Sequence, residues 1–506
     1  MINPLVISGF VAFAISAYFL FTMGASAPWL AITLFGLNGA LIFQHGVKWM
    51  QGRMDTFDPA GMIGLFGIVF FLFSPAYQIA ADFWPFIPPL TYDTDWITLW
   101  ALMNLGGIII YLAIIEAPAR AKPMTSAWVF NRRRFWIVMP VALAFCFAMQ
   151  VYVFMQFGGI GGLVRTFTER QQLGLGLSAN DPFDNLGLPL LFAESFKYLF
   201  AMTIVVWAKD KPFARSWFFF AGMMIVCLIV FIVFGGLRGS RSNTIFSLIF
   251  AAGMYHFWIR QIRMKTVLLG VAFILVFMNG YYWYKIAGSG GIEAIFNPAA
   301  RQTYVAARQD PNLYVITRDL GRMDVQTLAL REYHREKLSY TFGATYPTSV
   351  FTVIPTSIVP YKPTFLLEAK TTIVRGVGRF VAGMPRTTTI VLGLFGEAFI
   401  NFSYPGVFVA FGLLAWSIRS IRRLIRTLTS GDARLLLLPA LCLLPIQILT
   451  TDSGVVVMLI ARALLVPTLV IFLSGRGLSI GRSSRSVEPI GMQATGPSAA
   501  QPADRS

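Results

Sequence analysis

The sequence predicts an all-α polytopic membrane protein that crosses the bilayer about twelve times. Of its 506 residues, 56% are hydrophobic and only 13% are charged, whereas soluble chains carry about a quarter charged residues. The apolar residues form blocks of roughly 18 to 25, a length that crosses about 30 Å of hydrocarbon as a helix. These blocks are solidly apolar and do not alternate with polar residues, which argues against a membrane β-barrel.

The apolar blocks predict the individual spans. The first block lacks a basic leader and a small-residue cleavage site, so we interpret it as a retained helix and not as a signal peptide. The predicted spans cover residues 5–22, 27–47, 59–80, 96–115, 135–156, 187–207, 216–236, 242–259, 266–286, 388–416, 435–450 and 454–474.

Lysine and arginine in the short loops predict the orientation, because cytoplasmic loops are enriched in both residues. Every second loop is basic, from Lys48 and Arg53 after the second span to Arg422 and Arg423 after the tenth. We therefore expect a bacterial inner-membrane protein with both termini in the cytoplasm. On this interpretation the formal net charge of +18 reflects membrane anchoring and does not call for nucleic acid.

The spans divide the chain into regions. N-terminal transmembrane helices occupy residues 1–286, a large periplasmic loop residues 287–387, and C-terminal transmembrane helices residues 388–474. Residues 475–506 are rich in Ser, Pro, Gly and Arg, which is typical of a disordered tail. The large loop is basic although its predicted location does not require positive charge. Either it handles an anionic ligand, or it was translocated regardless of its charge.

The segment GGLRGSRSNTIFSLI, residues 235–249, places Arg238 and Arg241 at the outer mouth between two spans. Arginine presents planar, bidentate donors that suit phosphate, and Ser240, Ser242 and Asn243 can cap a helix whose N-terminal amides also favour anions. We interpret this mouth as a site for a lipid-linked pyrophosphate. The alternative is that the arginines extend to ordinary lipid phosphates.

A second segment carries charge into the membrane. Arg386 lies just before the tenth span, and Glu397 and Asn401 lie about one helical turn apart inside it. An intramembrane carboxylate is costly and is by default a functional candidate. The alternative is a buried structural pair, for example with Arg462 of the last span. Other intramembrane charges are Glu194 and Lys197, whose spacing also allows them to pair with each other.

The predicted outer loops hold further candidates. His334 is the only histidine on that side, and a histidine can act as a general base, although a lone loop histidine is more often only solvated. In the first long loop, Arg165 and Arg170 are candidate polar contacts. The three cysteines lie inside apolar blocks without disulfide or zinc spacing, and the chain has no P-loop, dinucleotide or HExxH motif.

At these residues the chain resembles the Wzy-type polymerases of O-antigen and exopolysaccharide repeat units. The resemblance is carried by RGSRSNTI after a mid-chain span, by IPTSIVPYKP in the large loop and by LGLFGEAFINFSYPGVFVAFG in the following span. It covers roughly Gly235 to Trp416, and the order of the motifs is its strongest part.

The resemblance implies a GT-C-like glycosyltransferase that needs no metal or other cofactor and acts at the periplasmic face. It would transfer a growing glycan from undecaprenyl pyrophosphate to an incoming lipid-linked repeat unit. Arg238, Arg241 and Arg386 would hold the pyrophosphate, while Glu397, His334 or a loop carboxylate would orient or deprotonate the acceptor hydroxyl. The implied partners are the lipid-linked oligosaccharide, the bilayer and, where one is present, a chain-length regulator.

Two other functions fit the same predicted topology. An O-antigen ligase shares the large outer loop but transfers the glycan to the lipid A core. A flippase or transporter of lipid-linked oligosaccharide would instead have charge lining the central helices of both halves. The order of motifs favours the polymerase, and the products of a deletion strain distinguish the three.

Overall fold

The computed structural model describes residues 2–84, 94–118, 128, 131–173, 186–238, 241–287, 293, 297, 299, 315–351, 353–354, 358–359, 362–375 and 390–475. Within these ranges the chain is helical and forms no strand. The helices are α1 Pro4–Met23, α2 Trp29–Met50, α3 Pro59–Ala80, α4 Thr94–Glu116, α5 Arg132–Gln156, α6 Gly159–Leu173, α7 Gly187–Ala208, α8 Trp217–Val233, α9 Arg241–Trp258, α10 Met264–Ala287, α11 Met323–Arg335, α12 Thr345–Phe351, α13 Phe365–Arg375, α14 Gly393–Thr427, α15 Leu438–Thr450 and α16 Ser453–Ser474.

Eight of the described helices are long and apolar enough to cross a membrane. They are α1, α2, α3, α4, α5, α7, α14 and α16. The chain is therefore a membrane-embedded helical protein, as its composition predicts. Helices also occupy the other predicted segments, namely α8, α9, α10 and α15. Among these four, α8 and α15 are apolar but short, with 17 and 13 residues.

The helices pack into two adjoining hydrophobic cores. One core is built by α1 to α4 with α11, α13 and most of α14, around Trp100 and Phe399. The other is built by α5, α7, α8, α9, α15 and α16, around Phe231 and Phe250. Because α14 contributes Ile418 to the first core and Ile421 to the second, it forms the seam between them.

Glycine allows the closest approach between helices in the first core. A methyl group added at Gly64 of α3 would overlap the backbone nitrogen of Gly46 in α2. Small residues bring helix backbones together where lipid offers no hydrophobic driving force for association. The pair Gly46 and Gly64 thus fixes the contact between α2 and α3.

Ion pairs gather the basic loops at one end of the bundle, which we call the basic end. Lys48 of α2 donates to Glu116 of α4 at 2.6 Å, and Arg422 of α14 donates to Asp58 before α3 at 2.9 Å. Arg132 of α5 and Asp210 after α7 form another pair there. The helix ends that the charge pattern groups together are therefore close in space.

The opposite end, which we call the loop end, carries α11, α12 and α13 from the large loop. The indole of Trp100 in α4 donates to the side-chain oxygen of Gln326 in α11 at 2.7 Å. The Gln326 amide in turn donates to the carbonyl of Leu392, just before α14, at 2.7 Å. This part of the loop is thus folded onto the spans.

Candidate functional site

Arg238 and Arg241 flank the start of α9 at the loop end. A single turn of 3-10 helix, Gly236–Arg238, precedes α9, and α9 begins at Arg241. The hydroxyl of Tyr281 in α10 donates to the carbonyl of Gly236 and holds this turn in place. The side chains of Arg238, Arg241 and Arg170 lie outside the described residues, as does the whole of Arg386.

A polar network is buried directly beneath this turn, and we call it the α9 network. The ammonium of Lys197 donates to the side-chain oxygen of Asn243 at 2.8 Å, and the Asn243 amide donates to Glu194 at 3.0 Å. Arg462 of α16 approaches the same Glu194 oxygen at 2.9 Å. Lys197 and Glu194 are almost fully buried, and a Cβ added at Gly235 would lie 2.8 Å from the Lys197 ammonium nitrogen.

Among the described helices that build it, the α9 network has more cationic than acidic side chains. It combines two cations, Lys197 and Arg462, with the carboxylate of Glu194, and Glu194 is the only acidic residue in α5 and α7 to α10 and in α16. The N-terminus of α9 adds the positive end of a helix dipole. Beside it, the hydroxyl of Thr244 is buried and has no hydrogen-bond partner among the described residues. These features together favour an anion at the mouth.

The backbone of α16 is irregular where it presents Arg462. Residues Ala461–Leu465 form a π-turn, a widened turn that frequently occurs at functional sites. The hydroxyl of Ser195 in α7 donates to the Arg462 carbonyl at 2.9 Å, which anchors the turn to α7. Within the part of the chain that the structure describes, the buried Arg462 Nε–H has no hydrogen-bond partner. The guanidinium therefore retains a donor in addition to the one that contacts Glu194.

Glu397 belongs to a second cluster, which ties the large loop to the spans and which we call the clamp. One carboxylate oxygen accepts the hydroxyl of Thr345 in α12 at 2.9 Å, and the other accepts the backbone N–H of Ser453 at 2.6 Å. The Ser453 hydroxyl donates to the carboxylate as well. Glu397 is buried, so its charge is compensated by three donors from two other helices.

Asn401 extends the clamp where α14 is broken. Its amide donates to Thr345 Oγ1 at 2.7 Å, and its side-chain oxygen accepts the hydroxyl of Thr341 at 2.7 Å. Backbone geometry departs from helical at Phe402 and Ser403, two residues before Pro405, which cannot donate a helical hydrogen bond.

The loop backbone supplies the hydrogen bonds that the break in α14 removes. The N–H of Thr341 donates to the carbonyl of Ile400, and the N–H of Phe342 donates to that of Asn401, each at 3.0 Å. In a membrane a broken helix is tolerated only where such groups are satisfied again. The loop thus completes the hydrogen bonding of α14.

Asp452 is a clamp residue that the sequence analysis missed. Its carboxylate accepts the backbone N–H of Leu392 at 2.7 Å and pairs with Lys370 of α13. It therefore joins α13, the start of α14 and the start of α16. The available signal was a single acidic residue between two apolar blocks, but such a residue does not reveal its partners.

His334 lies apart from both clusters. Its ring is exposed at the end of α11 and meets the indole of Trp96 with the centroids 5.0 Å apart. The preceding residue, Tyr333, packs instead on Phe399, because successive helical side chains point about 100° apart. Burial raises the pKa of Tyr333 to about 12, so it remains a neutral phenol.

Arg165 is exposed on α6, whose Leu163 belongs to the same small hydrophobic cluster as Leu237. This contact brings α6 beside the turn that carries Arg238. The structure therefore places the predicted residues in three groups: the mouth with Arg165, Arg238 and Arg241, the clamp with Glu397 and Asn401, and His334. Within the described ranges, no three His, Cys, Asp or Glu side chains are grouped as metal ligands.

A pair of Glu397 with Arg462, the structural alternative to a functional carboxylate, is not what the structure shows. Arg462 contacts Glu194, and Glu397 is held by hydroxyl and amide donors. Asn243 forms a hydrogen bond to both Glu194 and Lys197, the two residues whose spacing allows them to pair. Comparison of the chain with protein-family models, with curated proteins and with solved structures gives no match.

Proposed function

We propose that this protein is an oligosaccharide repeat-unit polymerase of O-antigen or exopolysaccharide biosynthesis. It transfers a growing glycan from undecaprenyl pyrophosphate to an incoming lipid-linked repeat unit. The motif order of the sequence and a folded loop at the end of the bundle opposite the basic loops both support this proposal. Its scaffold is then a GT-C-like bundle of about twelve spans, in which α8, α9, α10 and α15 cross the membrane in addition to the eight long apolar helices.

The observation that carries the proposal is the α9 network. A cationic excess inside a membrane is costly, and it is stabilised when an anion binds. Lys197, Arg462 and the N-terminus of α9 together support a diphosphate at the mouth, where Arg238 and Arg241 supply bidentate donors. Because the α9 network lies within the membrane-embedded bundle, a diphosphate attached to a lipid can approach it from within the bilayer.

The chemistry asks little of the protein beyond positioning and charge stabilisation. The bond between the sugar carbon and the pyrophosphate oxygen breaks, and the acceptor hydroxyl oxygen forms the new bond to that carbon. The leaving pyrophosphate gains negative charge, which the arginines of the mouth stabilise. The acceptor loses its proton to water, because the carboxylate of Glu397 already accepts three hydrogen bonds and His334 lies apart from the mouth.

The proposed orientation follows from the basic end. With that end in the cytoplasm, both termini are cytoplasmic and the mouth, the clamp and the large loop face the periplasm. The donor is then already lipid-linked when it arrives, which agrees with the lack of a nucleotide-binding motif in the sequence. The lipid bilayer of the inner membrane delivers both substrates, and a chain-length regulator has access to the periplasmic loop.

The test is complementation of a deletion strain followed by gel analysis of its surface polysaccharide. We expect Arg241→Ala to abolish long chains while the protein remains inserted and expressed. Arg263→Ala is the matched control, because it removes an arginine after the other end of α9. A normal long-chain ladder with Arg241→Ala would overturn the pyrophosphate role.

The deletion strain itself separates the candidate functions. Loss of a polymerase leaves single repeat units on the cell surface. Loss of a ligase leaves lipid-linked polymer that is not attached to the core, and loss of a flippase leaves no exported unit. Only the first of these results agrees with the proposal.

A further inference from the structure

The polarity of α12 is reversed relative to a helix that faces water. Its hydroxyl-bearing residues Thr345, Thr348 and Ser349 are buried against the spans, whereas Tyr346 and Val350 point outward. Val350 is 53% exposed. A surface helix in water shows the opposite arrangement, with apolar residues inside and polar residues outside. The outward face of α12 is thus suited to an apolar environment.

All hydroxyl groups on the inner face of α12 are satisfied within the protein. Thr345 donates to Glu397, Thr348 donates to the carbonyl of Ala344 at 2.6 Å, and Ser349 lies 2.5 Å from Ser453 Oγ. Polar groups in hydrocarbon must be satisfied internally because no water reaches them. This requirement is met by Thr345, Thr348 and Ser349 on the inner face of α12.

The segment before α12 lies alongside a span and not above it. Thr341 and Phe342 hydrogen-bond to the carbonyls of Ile400 and Asn401, seven and eight residues after the start of α14 at Gly393. At 1.5 Å per residue, these contacts lie about 10 Å along the helix from its first residue. The loop therefore descends beside α14 to the level of its break.

The same segment carries no charge and exposes large apolar side chains. Between Lys337 and Lys362 the sequence has no charged residue and no histidine, although the large loop as a whole is basic. Phe342 is 79% exposed and Ile358 is 69% exposed. The ring of Tyr346 stacks on that of Phe402, an exposed apolar residue of α14.

From these observations we propose that the chain re-enters the membrane with residues 341–351, 353–354 and 358–359, whose outward face lies in the acyl chains of the leaflet at the loop end. Lys337 and Lys362 then mark its two crossings of the headgroup region, where long cationic side chains are stable. The partner of this surface is the hydrocarbon of the bilayer. The inference does not depend on the polymerase function, since any activity of the clamp and the mouth would take place beside a lipid-embedded element.

The test uses spin labels at single cysteines in the full-length protein, reconstituted in liposomes. The native cysteines Cys146, Cys227 and Cys442 are buried and are first replaced by alanine. Val350→Cys reports on the outward face of α12, and Glu336→Cys, at an exposed position after α11, is the matched control. Collision with oxygen, which concentrates in lipid, is compared with collision with a water-soluble nickel chelate.

We expect the label at 350 to collide with oxygen several-fold more than with the nickel chelate, and the label at 336 to show the reverse. Nickel access at 350 equal to that at 336 would overturn the proposal. A label at 350 that neither reagent reaches would overturn it too, because the surface would then be covered by protein, such as a second copy of the chain. Ile358→Cys provides a second reporter if Val350→Cys does not fold.

Discussion

Glu194 in α7 and Arg462 in α16 are 268 residues apart in the sequence, and their side chains meet at 2.9 Å inside the membrane-embedded bundle. Removing one partner of a buried ion pair leaves an uncompensated charge and costs about 3–5 kcal/mol. Because the Arg462 side chain is 26% exposed, we expect the lower end of that range for Glu194→Gln.

The charge balance of the α9 network predicts that substitutions at Glu194 and at Arg462 have unequal effects on stability. Glu194→Gln leaves two cations, Lys197 and Arg462, whereas Arg462→Gln leaves Lys197 with Glu194. We therefore expect Glu194→Gln to lower the melting temperature of the purified protein more than Arg462→Gln does, with the double variant in between. Equal effects of the two single substitutions would contradict the charge count.

Glu397 offers a test that separates a structural role from a chemical one. In Glu397→Gln, an NH2 group must face either the N–H of Ser453 or the hydroxyl of Thr345. Each hydrogen bond to a charged group is worth about 1.5–3 kcal/mol, so we expect lower thermal stability and faster proteolysis of the large loop. Glu368→Gln, an exposed carboxylate of the same loop, is the control.

If Glu397→Gln is inactive but melts and resists protease like the wild type, the clamp role is wrong. The carboxylate would then act in the reaction itself, as the sequence analysis proposed.

The close contact between α2 and α3 predicts that a larger residue at Gly64 lowers stability. Gly64→Ala forces a methyl group into the backbone of Gly46, and overpacking of this kind costs about 1–3 kcal/mol. Gly9→Ala in α1 meets nothing within 4 Å and is expected to be neutral or slightly stabilising. The melting temperatures of the two variants are compared in the same detergent. Similar melting temperatures would show that α2 and α3 can move apart at this contact without a loss of stability.

We expect the stability of the fold to depend on pH through Asp55, which lies in the loop between α2 and α3. Burial by itself raises its pKa, but the hydrogen bond and charge of His256 and the backbone N–H of Phe57 lower it further than burial raises it. The net pKa is below the usual value. Asp55 therefore stabilises the fold above its unfolded pKa of about 4, and this contribution is lost as the pH falls through the lower folded pKa.

Asp55→Asn removes that dependence. We expect the difference in melting temperature between wild type and variant to be largest near pH 6 and to shrink below about pH 4. A difference that stays constant down to about pH 3 would show that the ionised carboxylate does not contribute.

The sequence predicted where the helices lie because hydrophobic length is a strong constraint in membranes. The predicted span 187–207 corresponds to Gly187–Ala208, and 59–80 to Pro59–Ala80. The predicted span 388–416 differs more, since α14 runs from Gly393 to Thr427. Its last turns continue beyond the apolar stretch through a basic segment, where hydropathy gives no signal although the helix persists.

The partners within the sites were not predictable in the same way. The sequence identified Glu194, Lys197 and Arg462 as intramembrane charges, yet their contacts depend on how α7, α9 and α16 are placed side by side. Thr345 and Ser453 look like ordinary polar residues in the sequence. They act in the clamp because the fold places α12 and the start of α16 beside Glu397 of α14.

The π-turn that carries Arg462 makes α16 tolerant of length changes at this one place. A π-turn contains one residue more than an α-turn, so deleting a residue between 461 and 465 restores a regular helix without rotating the flanking segments against each other. A deletion elsewhere in the span would rotate them by about 100°. Arg462 therefore lies in a turn that can lose one residue. Such a deletion would move the arginine, while Val470 and Ile471 would keep their places in the core.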